Sequence, residues 1–244
     1  MTIETACSCK EPLRAESEDA FPDAFLAHVR AEHPDWPYED VGVRIVGEAM
    51  LRLTGGTERL DDIGGLAVHP VTADRLDDWL EYFDHHAFVD KPWVAHCYCI
   101  EQHAPLAPPA LGAWRDNRAR MIDLFNAGSA FGYLAYAGGR PAGWVNAALR
   151  ADQLYRLGKP EDTTTVTVSC FNIAPPYRQH RLAGALLDRV IADAPSRGAT
   201  RVEAYPRPDS ENPANFRGPM SLYETRGFEV VKDLGWSTLV RLTL

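Results

Sequence analysis

The sequence predicts a single mixed α/β sheet packed against helices, preceded by a small module holding two cysteines and two histidines. Three observations carry this reading. From Gly65 onward the apolar pattern runs strand, two helices, a run of strands, then helix and strand in alternation. The segment 54–65, TGGTERLDDIGG, sets two glycine pairs around a charged run, which is the composition of a linker. Of the 244 residues 45% are apolar, enough for a sizeable core. A boundary near Ile63 divides the chain into units 1–60 and 65–244.

In the first unit, Pro22 suits the first turn of a short helix on which Phe21, Phe25 and Val29 share a face, and Pro34 stops it. A second helix is expected over 38–53, with Val41, Ile45, Ala49 and Leu53 or Met50 along its stripe. In the second unit GLAVHP reads as a strand, and TADRLDDWLEYFDHH as a helix with Thr72 as N-cap and Leu76, Trp79, Leu80 and Phe83 facing inward. Residues 86–110 are Pro-rich and irregular, with one expected strand, WVAHCYCI. A helix over 111–127 ends at Gly128, and a hairpin turns at Gly138-Gly139. TTTVTVSCFNI is a strong strand. Helix 181–194, strand RVEAYP, helix PMSLYETRGF and strands FEVVKD and WSTLVRLTL complete the order.

The net charge of −9 is uneven. Residues 1–64 hold 14 acids and 6 Lys or Arg; the remaining 180 hold 20 and 19. An acidic first quarter argues against nucleic acid as its partner. No apolar run reaches the length of a membrane span, and MTIETACSCKEP has neither the basic nor the apolar region of a secretory leader. Cys7, Cys9, Cys97, Cys99 and Cys170 make an odd count in two tight Cys-x-Cys pairs, a poor disulfide framework. A reducing, cytoplasmic setting is therefore expected.

Basic residues in this acidic chain gather where a strand turns into a helix, in NIAPPYRQHRLAGALLDRVI. The first N–H groups of a helix have no partner within it, and the helix dipole adds positive potential there, so a pyrophosphate fits. Small Ala183, Gly184 and Ala185 permit close approach; Arg178, His180 and Arg181 add donors. This segment resembles the acetyl-coenzyme A (acetyl-CoA) motif of the GNAT superfamily of N-acetyltransferases, Arg/Gln-x-x-Gly-x-Gly/Ala before a helix with paired leucines. Arg178 stands at the first position, Ala183 at the last, and Leu186 and Leu187 are the leucines; Arg181 departs from it, replacing a glycine. SLYETRGFEVV resembles the family's Tyr-x-x-x-Gly-Phe, with Tyr223, Gly227 and Phe228.

The resemblance spans about three quarters of the chain, from Gly65 to Leu244. It implies acetyl transfer from acetyl-CoA to an amine, most simply a small molecule, with neither nucleic acid nor membrane as partner; homodimers are common in the family. Asn172, Ile173, Ala174, Arg178, Gln179, His180, Arg181, Leu182, Ala183, Gly184 and Ala185 are the implied coenzyme-binding residues. Tyr223 would protonate the leaving thiolate, and a backbone N–H of strand 166–173 would hold the oxyanion. Glu203 is the one specific acid available as general base, with a water chain as its alternative. Three other readings stay open: an acyl-CoA sensor without turnover, acetylation of a protein amine, and metal-dependent redox chemistry at the Cys/His clusters.

Cys7 and Cys9, then His28 and His33 on a short helix, form a four-ligand set for structural zinc, and the segment resembles small proteins with a Cys pair and a helical His-x-x-x-x-His. The first unit is accordingly expected to be zinc-finger-like. In HCYCIEQH a strand would turn Cys97 and Cys99 to one side, toward the core, the acceptor pocket or a second metal.

Overall fold

In the computed structural model, residues 2–7, 9–108, 112–153, 159–207 and 216–244 are described. The chain opens with a hairpin absent from the sequence reading, β1 (Ile3–Ala6) and β2 (Pro12–Ala15), paired antiparallel. Helices α1 (Phe21–Glu32) and α2 (Asp40–Arg52) follow. Phe21, Phe25, Leu26 and Val29 of α1 meet Val43 and Val46 of α2, with Cys7 and Leu13 of the hairpin, in one small core. The two helices cross closely because Gly47 lies against Phe25 and Pro22. The buried face of α2 is Val43, Ile45, Val46 and Ala49; Val41, expected inside, is exposed. The reason is tertiary: α2 serves two cores, and Ala49 belongs to the one shared with Trp79.

No helix or strand lies between α2 and β3 (Leu66–Pro70). Then come α3 (Leu76–Glu81), which runs on as a π-helical turn through His86, and α4 (Ala113–Asn126). Thr72 does not cap α3; its hydroxyl bonds the Asp74 carboxylate instead. The sheet comprises β3, β4 (Gly132–Ala137), β5 (Arg140–Leu149), β6 (Thr165–Ile173), β7 (Arg201–Ala204), β8 (Glu229–Asp233) and β9 (Thr238–Thr243), in the order β3-β4-β5-β6-β7-β9-β8. Only β6 and β7 run parallel, joined through helix α5 (Leu182–Asp193), the crossover that a parallel pair requires. Helix α6 (Met220–Glu224) precedes β8.

Alternation along β4 and β5 sorts the core. Tyr133, Ala135, Val145 and Ala147 pack with Leu182, Leu186, Leu187 and Val190 of α5. Leu134 and Trp144 face the other way, into an aromatic cluster with Trp79, Phe83 and Tyr98. Helices therefore cover both faces, and no described helix is long and apolar enough to cross a membrane. The N-terminal module is fastened to the second face. The Arg52 guanidinium lies 4.5 Å from the Trp114 ring and donates to Ala95 O at 3.1 Å. Glu48 accepts from Gly112 N–H and Trp114 Nε1–H.

The expected strand WVAHCYCI does not form. Residues Pro92–Val94 make a 3₁₀ turn, and Tyr98 and Cys99 have φ of +45° and +58°, which a strand cannot contain.

Candidate active site

The geometry of the site begins with one extra residue. Asn146 of β5 pairs with Cys170 of β6, yet the adjacent Ala147 pairs with Val168, so Ser169 is a β-bulge. A bulge bends its strand. The parallel register with β7 ends at the same place, on the pair Val168–Ala204. Beyond it β6 continues to Ile173 without β7 beside it, and the two strands diverge. Two cavities flank the free part of β6.

The first is a groove of about 760 Å³ lined by Ile173, Tyr177, the turn into α5, and Ser221, Leu222 and Arg226 beyond β7. Residues Pro175–Tyr177 form a 3₁₀ turn, and Gln179 and Arg181 adopt φ of +65° and +63°. Arg181 thus occupies the left-handed conformation that glycine takes most easily, which explains the glycine of the motif. The first intrahelical bond of α5 runs from Ala185 N–H to Arg181 O, leaving the amides of Leu182, Ala183 and Gly184 directed out of the helix end. No acid occupies that first turn. A Cβ at Gly184 would lie 2.7 Å from the Arg226 guanidinium, so a larger residue there would displace the end of that side chain.

The basic residues divide their work. Arg178 grips Asp90 with two nitrogens at 2.6 and 3.0 Å and donates from Nε to Ile173 O at 3.0 Å, so it braces the turn. His180 Nε2 lies 2.7 Å from Leu60 O, and Arg59 reaches Gln179 at 3.4 Å. The segment between α2 and β3 is therefore strapped over the turn, aided by Leu60 N–H donating to Pro176 O. Arg181 is exposed on the groove. Of the remaining residues expected at the coenzyme, Ala174 is buried, and Asn172 faces the second cavity with its Oδ1 2.7 Å from the Tyr82 hydroxyl.

The second cavity, about 370 Å³, lies beyond the bulge against Ser169, Cys170 and Asn172. Segment 83–106 supplies most of the rest, including Phe83, Phe88, Cys97, Cys99 and Glu101; Phe216 and Arg217 close it. Both thiols of the HCYC run thus line this cavity although no strand aligns them. Burial pushes the Cys97 thiol up to about 12. A hydrogen bond from the Cys170 thiol to the Cys99 sulfur holds Cys99 below its ordinary value and raises Cys170, and both cysteines are free. Behind the cavity runs a buried polar chain that has no signature in the sequence. His103 Nδ1 lies 2.9 Å from Asp152 O, which makes it the donor and leaves Nε2 to accept from Asn146 Nδ2 at 3.0 Å. Gln153 Nε2 donates to Asn146 Oδ1 at 3.1 Å and to Thr167 O at 3.1 Å.

Tyr223 is fully buried, and its hydroxyl donates to Arg217 O at 2.5 Å; burial raises its pKa. It lies in the lining of neither groove nor cavity. Glu203 is also fully buried. One carboxylate oxygen accepts from Arg241 Nε and Nη2 at 2.8 and 2.6 Å, and the other is paired with Arg150. Both oxygens are occupied by guanidiniums, although the residue lies only one pair before the strands diverge.

In the N-terminal module the hairpin turn and α1 bring Cys7, Cys9, His28 and His33 together, with all ligand atoms within 4.8 Å of one another. His33 leaves the helix as its C-cap, at φ −134° and ψ 54°, which lets its ring approach that of His28 at 5.3 Å. Cys7 Sγ is 3.4 Å from His33 Nε2, and Cys9 Sγ 3.5 Å from His28 Nε2. Among the described residues this is the only such group, and Cys97, Cys99, His96 and His103 do not form a second.

A sheet whose one parallel pair diverges at a bulge, with a helix N-terminus facing the resulting groove, offers an anionic group such as a diphosphate a place to bind. The profile of the acetyltransferase (GNAT) family matches residues 93–228, more than half of the chain, and the protein belongs to that family of acetyl-CoA-dependent N-acetyltransferases. No curated protein matches by sequence. Solved structures resemble it at low identity. The GNAT domain of S. lividans PAT is 18% identical, with TM-score 0.49, over 74% of this chain and 92% of that one. The yncA protein of Salmonella typhimurium, with its cofactor acetyl-CoA, is 16% identical with TM-score 0.46, over 73% and 99%. The paiA N-acetyltransferase of Thermoplasma acidophilum, in complex with coenzyme A, is 12% identical with TM-score 0.46, over 74% and 99%.

Proposed function

We propose that the protein transfers the acetyl group of acetyl-CoA to the nitrogen of a small-molecule amine. The observation that carries this reading is the placement of two cavities on opposite sides of the free end of β6, one facing a helix N-terminus and one small and largely apolar. The amides of Leu182 to Gly184, with Arg181, would receive the diphosphate. The acetyl thioester would lie along the divergence, and the amine would enter from the cavity beside Ser169 and Cys170. Holding the two reactants at either side of one strand supplies most of the rate.

Backbone groups of β6 past the bulge would stabilise the developing oxyanion, although Phe171 N–H is already given to Phe216 O at 2.6 Å. Tyr223, kept protonated by its burial, would deliver a proton to the departing thiolate. Glu203 is better suited to holding Arg150 and Arg241 than to accepting a proton, so water in the cavity takes that part. Thiol release from acetyl-CoA across a library of small amines tests the reading. Turnover with at least one amine is expected; coenzyme binding without turnover would identify a sensor instead.

The four-residue cluster of the module fits a structural zinc ion. A tetrahedron with Zn–S of about 2.3 Å and Zn–N of about 2.0–2.1 Å has an S···N edge of about 3.6 Å, close to both sulfur–nitrogen distances found here. Four protein ligands leave no open position, so the ion would staple a module whose own core is small. One zinc per chain is expected in the purified protein and none in Cys9→Ser. The five free cysteines accord with a reducing, cytoplasmic location.

A further inference from the structure

Two polar groups on the wall of the cavity beyond the β6 bulge are left unsatisfied by the fold. Gln102 ends the 3₁₀ turn Ile100–Gln102 and is 5% exposed, yet its Oε1 has no hydrogen-bond partner among the described residues. A half-turn of the amide exchanges its oxygen and nitrogen, so the acceptor can face the cavity that Gln102 lines. His96 lines the same cavity, and its Nδ1 is likewise buried without a partner. Burial of such an atom is unfavourable and rare, and a ligand that donates to it removes the penalty. The charged groups of the wall are engaged already: Arg217 and Glu101 act on each other across the cavity. A guest therefore meets two uncharged acceptors on a wall led by Phe83, Phe88, Leu106 and Phe216. A primary ammonium group on an apolar body matches this wall, because it presents three donors and no acceptor.

Neighbouring elements fix both residues. Asn117 of α4, fully buried, donates to His96 O at 2.7 Å, and Ile100 O takes the amides of His103 and Ala104 at 2.8 and 3.0 Å. Burial holds the His96 ring below its ordinary pKa, and the Arg52 guanidinium acts in the same direction. A bond to the Trp93 carbonyl and the Glu101 carboxylate oppose them without prevailing. Arg207 and Arg217 stand on the same cavity with the thiols of Cys97, Cys99 and Cys170. The ring is thus neutral near pH 7 and keeps a lone pair.

We propose that the acceptor is a primary amine on an apolar body, its nitrogen held by the Gln102 carbonyl, with His96 taking up the proton that the amine releases to the cavity water. This rests on the acetyl-transfer reading given above. An ammonium group loses two protons in becoming the amide N–H. One passes through water to His96, and the other balances the proton gained by the coenzyme thiolate. The nitrogen's electron pair forms the bond to the acetyl carbon, and the carbon–sulfur bond breaks with its pair to sulfur.

Phenethylamine and isoamylamine are the probes, read by thiol release from acetyl-CoA and by the melting temperature with and without coenzyme A. Gln102→Leu removes an unsatisfied amide, so the ligand-free protein should melt about 2–4 °C higher while KM for either amine rises about tenfold and kcat holds. Gln102→Glu, which keeps the oxygen, should return KM toward that of the parent protein. His96→Gln should lower kcat about 10²-fold at neutral pH and flatten the acidic limb of kcat/KM that the parent shows below about pH 6.5. A merely structural loss would depress the rate at every pH and leave the limb in place. KM unmoved by Gln102→Leu, or an acidic limb that survives His96→Gln, overturns the proposal. Should neither amine be acetylated, melting still decides. A rise of the coenzyme-loaded protein with amine that Gln102→Leu abolishes upholds the cavity assignment while the acetyl-transfer reading fails. No such rise, or one that the substitution leaves intact, overturns the assignment itself.

Discussion

Arg181→Gly sets two effects of opposite sign against each other. Arg181 has φ +63° and ψ 16° and caps α5 from the left-handed region. A residue with a Cβ is disfavoured there by about 1–2 kcal/mol. Glycine removes that strain but gains about 0.5–1 kcal/mol of extra freedom in the unfolded chain. The difference is a net stabilisation of about 0.5–1 kcal/mol. At roughly 2–4 °C per kcal/mol for a chain near this size, the coenzyme-free variant should melt about 1–4 °C higher. The guanidinium itself is exposed on the groove, so its bond to a phosphate is worth the lower end of the charged range, about 1.5 kcal/mol or roughly tenfold in Kd. Calorimetric titration with coenzyme A should therefore show about tenfold weaker binding by the more stable protein. Titration with pantetheine, which lacks the diphosphate, should show no change. A lower melting temperature would refute the backbone argument. Undiminished coenzyme affinity, or an equal loss with pantetheine, would refute the placement of the diphosphate.

Three further outcomes follow from the buried groups. Tyr223→Phe should lower kcat by about 10²-fold or more with little change in coenzyme Kd, because only the proton donor is lost; unchanged single-turnover rates would remove the phenol from the reaction. Glu203→Gln should cost about 3 kcal/mol, the penalty of leaving two guanidiniums without their shared carboxylate, and lower the melting temperature by about 6–12 °C. The pH–rate profile of its folded fraction should stay unshifted; a lost acidic limb would restore Glu203 as the base. Burial holds the His103 imidazole below its usual pKa, so the unfolded chain binds a proton that the folded one refuses. Stability from this group is whole above about pH 6.5 and is lost as pH falls through that value, with a slope of at most ~1.4 kcal/mol per pH unit. His103→Gln should flatten the melting-temperature profile between about pH 6.5 and 5, and an equally steep profile would count against the histidine.

Local chemistry decided what could be read without coordinates. Glycines at a tight hairpin, a β-branched run at β6, a proline opening α1 and the leucine pair of α5 each act within a few residues, so helix and strand order was legible. So was the Cys/His group, because its four ligands sit on two adjacent elements. The segment 92–100 was not: its alternation suits a strand, but Tyr98 and Cys99 are held in left-handed geometry by packing on Trp79 and Phe83 and by turn bonds from Cys97 and Ile100. The loop 206–219, another segment expected at the acceptor, falls partly outside the described residues.

By itself the sequence determined the class of the protein, because the turn 177–181 and the helix after it are contiguous and their amides need no distant partner. The tertiary structure alone decided which charges are available to a ligand. Arg178, His180 and Arg181 look alike in one dimension, but Asp90 takes the first and the carbonyl of Leu60 the second, leaving the third to the groove. Glu203 looked like a base until two arginines from separate strands and turns closed on it. Charge is a property of a residue, whereas its availability depends on neighbours that the chain brings from far away.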